Sequence, residues 1–201
     1  MSLKPFQTLD AVAVPIAQPN LDTDQILPAR YLQKPRSNNF GEYLFRDLRF
    51  RKDSSEDPEF VLNKPAYRNG QIIVAERNFG CGSSREHAVW ALYDYGFRAV
   101  IAPSFGDIFS SNALKNGLLP VVLPEAIVSE MLATVQSAPG SRIKVDLATQ
   151  TIVAPTGAVH SFDIDPFAKH CLLNGLDELD YTLSLLEHVE EFERRFDQAR
   201  F

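Results

Sequence analysis

Residues 78–88 read Asn-Phe-Gly-Cys-Gly-Ser-Ser-Arg-Glu-His-Ala and lie between two segments of different pattern. Residues 71–76, just before them, are rich in β-branched side chains and predict a strand. Residues 88–95, just after them, are apolar at helical spacing and predict a helix. The stretch therefore predicts a strand-to-helix turn, in which Gly80 and Gly82 permit backbone angles that other residues avoid.

This turn has the features of an anion-binding site. Ser83 is followed three positions later by Glu86, a capping-box pattern that predicts a helix N-terminus at the serine. Free backbone N–H groups and the positive helix end would then meet at one point that suits a carboxylate or a phosphate. Arg85 adds a planar fork of donors that matches a carboxylate. The spacing alone leaves an alternative open, in which Ser83 and Ser84 only cap a helix and Arg85 pairs with a surface carboxylate.

Strand and helix patterns alternate on both sides of the turn up to about residue 135, which predicts a parallel sheet with right-handed crossovers. Ligands bind such sheets at the carboxyl ends of the strands, and the turn follows one of those ends. The predicted strands are residues 11–16, 71–76, 98–103 and 119–123, and the predicted helices are 88–95, which Gly96 ends, 105–115 and 125–135.

The pattern changes after Pro139. Residues 142–147, 151–154 and 159–164 look like short antiparallel strands, which we expect to form a second small sheet or a barrel-like layer. The chain is predicted to be helical from Pro166 onward. One apolar stripe there is more typical of a face that docks on the core than of a cofactor site, with a partner protein as the alternative; its residues are Leu179, Leu183, Leu186, Val189, Phe192 and Phe196.

The bulk properties indicate one globular domain spanning residues 1–201, with residues 49–64 as an exposed loop or a lid. A net charge of −6 without a dense basic cluster argues against a nucleic-acid partner. No apolar run reaches the length of a membrane span. A signal peptide needs an unbroken apolar stretch, so a cytoplasmic location is expected from the residues that interrupt the N-terminal region, namely Pro5, Asp10, Pro15 and Pro19.

Metal ligands are scarce in the sequence. Its two cysteines, Cys81 and Cys171, fall short of the roughly four thiolates that hold an iron–sulfur cluster. Its four histidines include no pair at the spacing usual for zinc. The chain is therefore expected to bind no metal by itself.

Residues 78–88 as a whole resemble the signature of the small subunits of 3-isopropylmalate dehydratases and, more loosely, of the mobile C-terminal "swivel" domain of aconitase. The resemblance covers nearly the whole chain and is also carried by residues 21–28, 94–97, 107–109 and 170–177. It implies the α/β class, with a swivelling three-layer β/β/α domain built on a mixed sheet with flanking helices and C-terminal helices. The sequence differs from the family pattern at Leu48, where many relatives are expected to have tryptophan. This difference affects the expected packing and not the expected chemistry.

The resemblance also implies a function. Enzymes of this family are split, with a [4Fe–4S] cluster in a large subunit over which the small subunit closes. The pair removes water from 2-isopropylmalate, a dicarboxylate, and adds it back at the neighbouring carbon in leucine biosynthesis. Sister hydro-lyases that act on homoaconitate, citraconate or methylmalate are the first alternative. A non-catalytic anion-binding module is the second.

By the same resemblance, Ser83 is the base that takes a proton from the carbon next to a carboxylate. Ser84 and Arg85 would hold the substrate carboxylate beside Gly82. Asp24, which we place among the substrate-binding residues, would shape the site through a basic partner. Three arginines are candidates for that partner or for a second carboxylate contact: Arg30, which we also place among the substrate-binding residues, Arg36 and Arg46. We interpret His87 as structural.

Overall fold

The fold is described from a computed structural model that covers residues 3–36 and 39–198. Its strands are β1 (Thr8–Ile16), β2 (Ile72–Ala75), β3 (Ala99–Ala102), β4 (Leu119–Val122), β5 (Arg142–Asp146), β6 (Thr151–Val153) and β7 (Val159–Ser161). They form one mixed sheet in the order β4-β3-β2-β1-β5-β6-β7. The strands β1, β2, β3 and β4 pair in parallel with one another, whereas β5 pairs antiparallel with β1, β6 with β5, and β7 with β6. The predicted parallel sheet is therefore confirmed.

The helices predicted at residues 88–95, 105–115 and 125–135 and in the region after Pro166 are confirmed within a few residues. The helices of the structure are α1 (Thr23–Ile26), α2 (Arg46–Arg49), α3 (Glu86–Tyr95), α4 (Asp107–Lys115), α5 (Glu125–Ser137), α6 (Pro166–Asn174), α7 (Glu178–Ser184) and α8 (Leu186–Gln198), with 3-10 turns at Ala29–Tyr31, Phe40–Tyr43 and Val61–Asn63. Within the described residues, no helix has both the length and the apolar character needed to cross a membrane.

Strand β1 joins the two halves of the sheet. Its residues 8–12 pair with β5, and its residues 13–16 pair with β2. The antiparallel strands that we expect as a second small sheet or a barrel-like layer are therefore not a separate sheet, because β5 to β7 continue the parallel strands through β1. A strand of nine residues is long enough to serve two partners in succession. At this junction Arg142 Nε donates a hydrogen bond of 2.8 Å to Asp10 Oδ1.

The core lies on both faces of the parallel half of the sheet. All four residues of β2 and all four of β3 are buried, as expected for parallel strands covered on both faces. Helix α5 packs across β1, β2 and β3 with its buried side chains Val128, Met131, Leu132 and Val135. The carboxyl edge of these strands is consequently the part of the sheet where polar loops meet.

The segment 49–64 is only partly the exposed loop that its composition predicts. Residues 51–56 are exposed, whereas Leu62 and Asn63 are buried. The amide Nδ2 of Asn63 donates to the carbonyls of Arg49 at 2.6 Å and Asp57 at 2.8 Å. These bonds hold the end of the segment against the body of the domain, because a buried amide needs partners. A role as a lid stays a prediction.

The C-terminal helices extend the fold beyond the sheet. Asp165 caps α6, and Gly175, at φ +66°, ends it. The ring of Tyr181 in α7 packs 4.8 Å from that of Phe167 in α6. Beyond this contact the apolar stripe is exposed to solvent, with Leu183 at 56% and Phe192 at 67% exposure. The prediction that the stripe docks on the core is therefore wrong, and the alternative of a partner remains.

Candidate functional site

The candidate site lies at the carboxyl edge of the sheet, where the loops after β1, β2 and β3 meet. The N–H of Gly80 donates to the carbonyl of Leu21 at 2.8 Å, and that of Phe79 donates to the carbonyl of Ser104 at 3.1 Å. The loop after β2 is therefore held between the loops after β1 and β3. This position at the strand ends is the one that the sequence predicts.

Two glycines of the loop adopt the left-handed conformation that the sequence predicts. Gly80 has φ +71° and Gly82 has φ +91°. A Cβ at Gly80 would lie 2.3 Å from the ring of Phe109 in α4, whereas the nearest atom to a Cβ at Gly82 would be 3.5 Å away. A glycine is therefore required at position 80 by the backbone angle and by the lack of room for a side chain. At position 82 it is required mainly by the backbone angle.

The predicted helix cap at Ser83 is wrong. Helix α3 begins at Glu86, its N-cap is Arg85, and no side chain caps it. The carbonyl of Ser83 accepts hydrogen bonds from the hydroxyl of Thr23 at 3.0 Å and from the N–H of Arg85 at 2.8 Å. These bonds turn the backbone before the helix begins, so the Ser83 side chain lies outside the first helical turn.

The side chain of Glu86 has a different partner from the one that the capping box requires. Its Oε1 accepts a hydrogen bond of 2.8 Å from Nδ2 of Asn116, and Asn116 Oδ1 accepts one of 2.9 Å from Trp90. A capping box does occur in α1, where the side chain of Asp22 accepts from Gln25 N–H at 2.7 Å and the side chain of Gln25 accepts in return. It fixes the chain just before Thr23 and Asp24.

The basic partner of Asp24 is Arg85. Nη1 of Arg85 donates to Oδ1 of Asp24, and the two side chains are 20% and 55% exposed. A guanidinium has five N–H donors, so a bond to Asp24 orients Arg85 and still permits a second carboxylate to bind. The structure thus brings together two residues 61 positions apart, at the start of α1 and just before α3.

Arg30, Arg36 and Arg46 are wrong as the proposed partners of Asp24, because each has other contacts. Arg30 donates twice to Asp47, and this hydrogen-bonded ion pair lowers the pKa of the Asp47 carboxyl. Arg36 donates to the carboxylate of Asp94 at 3.0 and 2.8 Å. Arg46 lies over the ring of Phe50, 3.7 Å from its centroid. Contact between substrate and any of these arginines stays a prediction.

The serines of the loop face solvent. Gly82, Ser83 and Ser84 are all exposed, so the site in this chain is an open surface. Thr23, which supports Ser83 from below, is only 1% exposed, and its N–H also donates to the Cys81 carbonyl at 2.9 Å. Sequence reasoning did not single out Thr23. The available signal was its place between two aspartates in residues 21–28.

His87 packs among aromatic rings, 4.4 Å from Trp90 and 6.2 Å from Phe40 by ring centroids. This packing favours the structural interpretation of the histidine. Leu48 is partly buried against the core, where it fills the position of the expected tryptophan. Across residues 3–36 and 39–198, no group of three or more His, Cys, Asp or Glu side chains is arranged to hold a metal ion.

Two family models and several known proteins match this chain. The model of the aconitase C-terminal domain family matches residues 3–126, and the model LeuD_N matches residues 129–166. A small subunit of 3-isopropylmalate dehydratase from Paramagnetospirillum magneticum is 49% identical over 191 residues, covering 95% of each chain. One from Afipia carboxidovorans is 47% identical over 198 residues, covering 98% of each chain.

A solved structure is also similar. The crystal structure of 3-isopropylmalate dehydratase (leuD) from Methanocaldococcus jannaschii superposes with a TM-score of 0.68 at 26% identity, over 92% of this chain and 99% of the other. Fold and site thus define an α/β domain of the aconitase C-terminal type, as predicted. Within that class, the chain belongs to the family of 3-isopropylmalate dehydratase small subunits.

Proposed function

We propose that this chain is the small subunit of the hydro-lyase that interconverts 2-isopropylmalate and 3-isopropylmalate in leucine biosynthesis. The observation that supports this most is the arrangement of the loop after β2. There Asp24 holds Arg85 close to Ser83, whose backbone Thr23 supports. The names of the similar proteins, small subunits of 3-isopropylmalate dehydratase, indicate the substrate and the existence of a large subunit.

In this proposal Ser83 is the base. Its ionised Oγ takes the proton from the carbon next to a substrate carboxylate, and the hydroxyl leaves the neighbouring carbon to give an alkene. In the return step a proton and a hydroxyl group add to the same double bond in the opposite orientation, so that each binds the carbon from which the other was removed. A serine is a weak base in water, so the site must be dry and must place donors around the oxygen.

Arg85 and Ser84 would bind the substrate carboxylate. The guanidinium can offer two parallel N–H donors to one carboxylate, and the bond to Asp24 fixes its direction in advance. Ser84, adjacent on the loop, would donate a third hydrogen bond. Asp24 is therefore a positioning residue in this proposal.

The large subunit would complete the site. Ser83 and Ser84 are exposed in this chain, so a second protein surface must exclude water before the serine can work as a base. A [4Fe–4S] cluster in that subunit would supply the Lewis acid for the substrate hydroxyl and one carboxylate. We also place the assembled enzyme in the cytoplasm.

The test is a dehydration assay that follows the unsaturated intermediate by its ultraviolet absorbance. We expect no turnover from the pure chain, and turnover of 2-isopropylmalate once the large subunit is added. Turnover by the chain alone would contradict the split-enzyme proposal.

A substrate panel separates the alternatives. A higher kcat/KM for homoaconitate, citraconate or methylmalate than for 2-isopropylmalate would identify a sister hydro-lyase. Tight binding of a dicarboxylate to the isolated chain in isothermal titration, without turnover in the assembled pair, would identify an anion-binding module.

A further inference from the structure

Helix α8 has an amphipathic surface that stays exposed among the residues that the structure describes. Every side chain of residues 186–196 whose burial the structure describes is exposed, apolar ones included. A helix of 13 residues is marginal in water without tertiary contacts. Contiguous apolar surface of this kind marks an interaction site. The exposed apolar side chains of α7 and α8 are Leu179, Leu183, Leu186, Val189, Phe192 and Phe196.

The apolar surface continues toward the candidate site. Between α4 and α6 lies a cavity of about 180 Å³ whose walls include Leu114, Phe167 and Leu176. An engineered cavity of about 150 Å³ admits benzene, so this one has room for a large apolar side chain from another protein. Ile108, 51% exposed, lies one turn before Ser111 of the cavity wall and follows directly after the loops of the site.

From this continuity we infer that α7 and α8 form a docking arm for the large subunit of the dehydratase. The inference rests on the proposed function, in which the large subunit covers Ser83 and Ser84. A partner placed there extends along Ile108 and the cavity to reach the arm, so one protein covers both the open site and the apolar stripe.

The net charge of α8 indicates what kind of surface the arm would bind. Residues 186–198 contain five acidic and two basic side chains, a net charge of −3. The matching surface on the large subunit is therefore an apolar groove with basic residues along its rim, and such an interface gains affinity from the apolar contacts and orientation from the charges.

The test compares two variants of equal charge change on opposite sides of α8. The double variant Val189→Glu with Phe192→Glu disrupts the apolar face, whereas Arg194→Glu changes the polar face. Each lowers the net charge by two. Affinity for the large subunit is measured by isothermal titration, and turnover is measured at a series of large-subunit concentrations.

We expect the double variant to weaken binding by roughly 100-fold, as for loss of a buried aromatic anchor. Excess large subunit should restore most of its turnover. For Arg194→Glu we expect a change of less than about fivefold. Circular dichroism should show the same melting temperature for both variants, since none of the three replaced side chains lies in the core.

Unchanged affinity of the double variant would overturn the docking arm. So would a result in which the double variant abolishes self-association of the isolated chain, seen by sedimentation equilibrium, and leaves heterodimer affinity unchanged, because the stripe would then bind a second copy. A heterodimer that forms but has no dehydratase activity would contradict the proposed function only, since the titration needs no turnover.

Discussion

Ser83 has a clear test because its side chain does not cap α3. In Ser83→Ala we expect turnover of the assembled enzyme to fall about 100- to 1,000-fold, the loss typical for a single preorganised catalytic group. The melting temperature should stay nearly constant, because the removed hydroxyl is exposed. Both quantities should be measured on the same preparation.

The matched control is Ser84→Ala, which removes a hydroxyl from the next exposed position of the loop. If Ser84 only binds the carboxylate, this change raises KM and leaves kcat within about tenfold of the original value. Near-normal kcat in Ser83→Ala would contradict its role as the base.

Thr23 allows a second prediction at this scale. Thr23→Val keeps the shape but cannot donate to the Ser83 carbonyl, whereas Thr23→Ser can. We expect Thr23→Val to lose about 1–2 kcal/mol of unfolding free energy, because the partly buried carbonyl of Ser83 loses one of its two donors. We also expect its kcat to fall about tenfold, since the loop that carries Ser83 is no longer fixed.

The serine variant distinguishes positioning from simple packing. Recovery of kcat in Thr23→Ser, at unchanged KM, would show that the hydrogen bond positions the loop. Equal kcat in the valine and serine variants would show that the bond to Ser83 has no part in turnover.

The sequence predicts the turn that carries the candidate site residues but not the partners of those residues. Residues 78–88 placed Ser83, Arg85 and the two glycines on one turn, and the structure confirms this turn. The hydrogen-bond partners could not be predicted from the sequence, because Glu86 binds Asn116, 30 positions away, and Arg85 binds Asp24, 61 positions away. A capping pattern within four residues contains no information about partners that lie so far away in the sequence.

At the scale of the structural element, the loop after β2 predicts a difference between its glycines. Gly80→Ala adds left-handed strain of about 1–2 kcal/mol and an overlap with the Phe109 ring that costs about 1–3 kcal/mol more. Gly82→Ala adds mainly the strain. We expect Gly80→Ala to be the less stable variant in urea denaturation and the less active one in the assembled enzyme.

Equal unfolding free energies of the two alanine variants would contradict this prediction. They would show that the ring of Phe109 moves aside without cost. The comparison is informative because both glycines have positive φ and belong to one loop, so the contact with α4 is the main difference.

The elements themselves were predicted better than their pairing. Buried runs of β-branched residues located β2, β3 and β4, and alternation located β5 to β7. The mixed sheet was implied by the family resemblance, but the strand pattern alone did not predict it. Only the two ladders of β1 reveal the single sheet, and the pattern of residues 8–16 does not show which partner each half takes.

For the whole molecule we predict a loss of stability in acid. Hydrogen bonds lower the pKa of several carboxyls, with Arg30 acting on Asp47, Arg68 on Glu56, and the Thr149 N–H on Asp146. A lowered folded-state pKa gives stability that is present above the unfolded pKa and lost as the pH falls through the folded one. The melting temperature should therefore be steady near neutrality and fall below about pH 4.

Thermal denaturation from pH 7 to pH 2 checks this, with Glu56→Gln as a variant that lacks one of the titrating groups. A melting temperature that stays constant down to about pH 3 would contradict the prediction. The Glu56→Gln variant should show a shallower fall than the original chain.

The shared strand β1 also sets the order in which the chain can fold during its synthesis. Its N-terminal half binds β5, and the ion pair at that junction joins residues 132 positions apart. A ribosome adds about 5–20 residues per second, so this half of the strand has no partner for roughly 7–26 seconds after it is made. Residues 8–12 thus leave the ribosome as an open strand edge, whose backbone hydrogen-bonding groups have no strand partner until β5 follows.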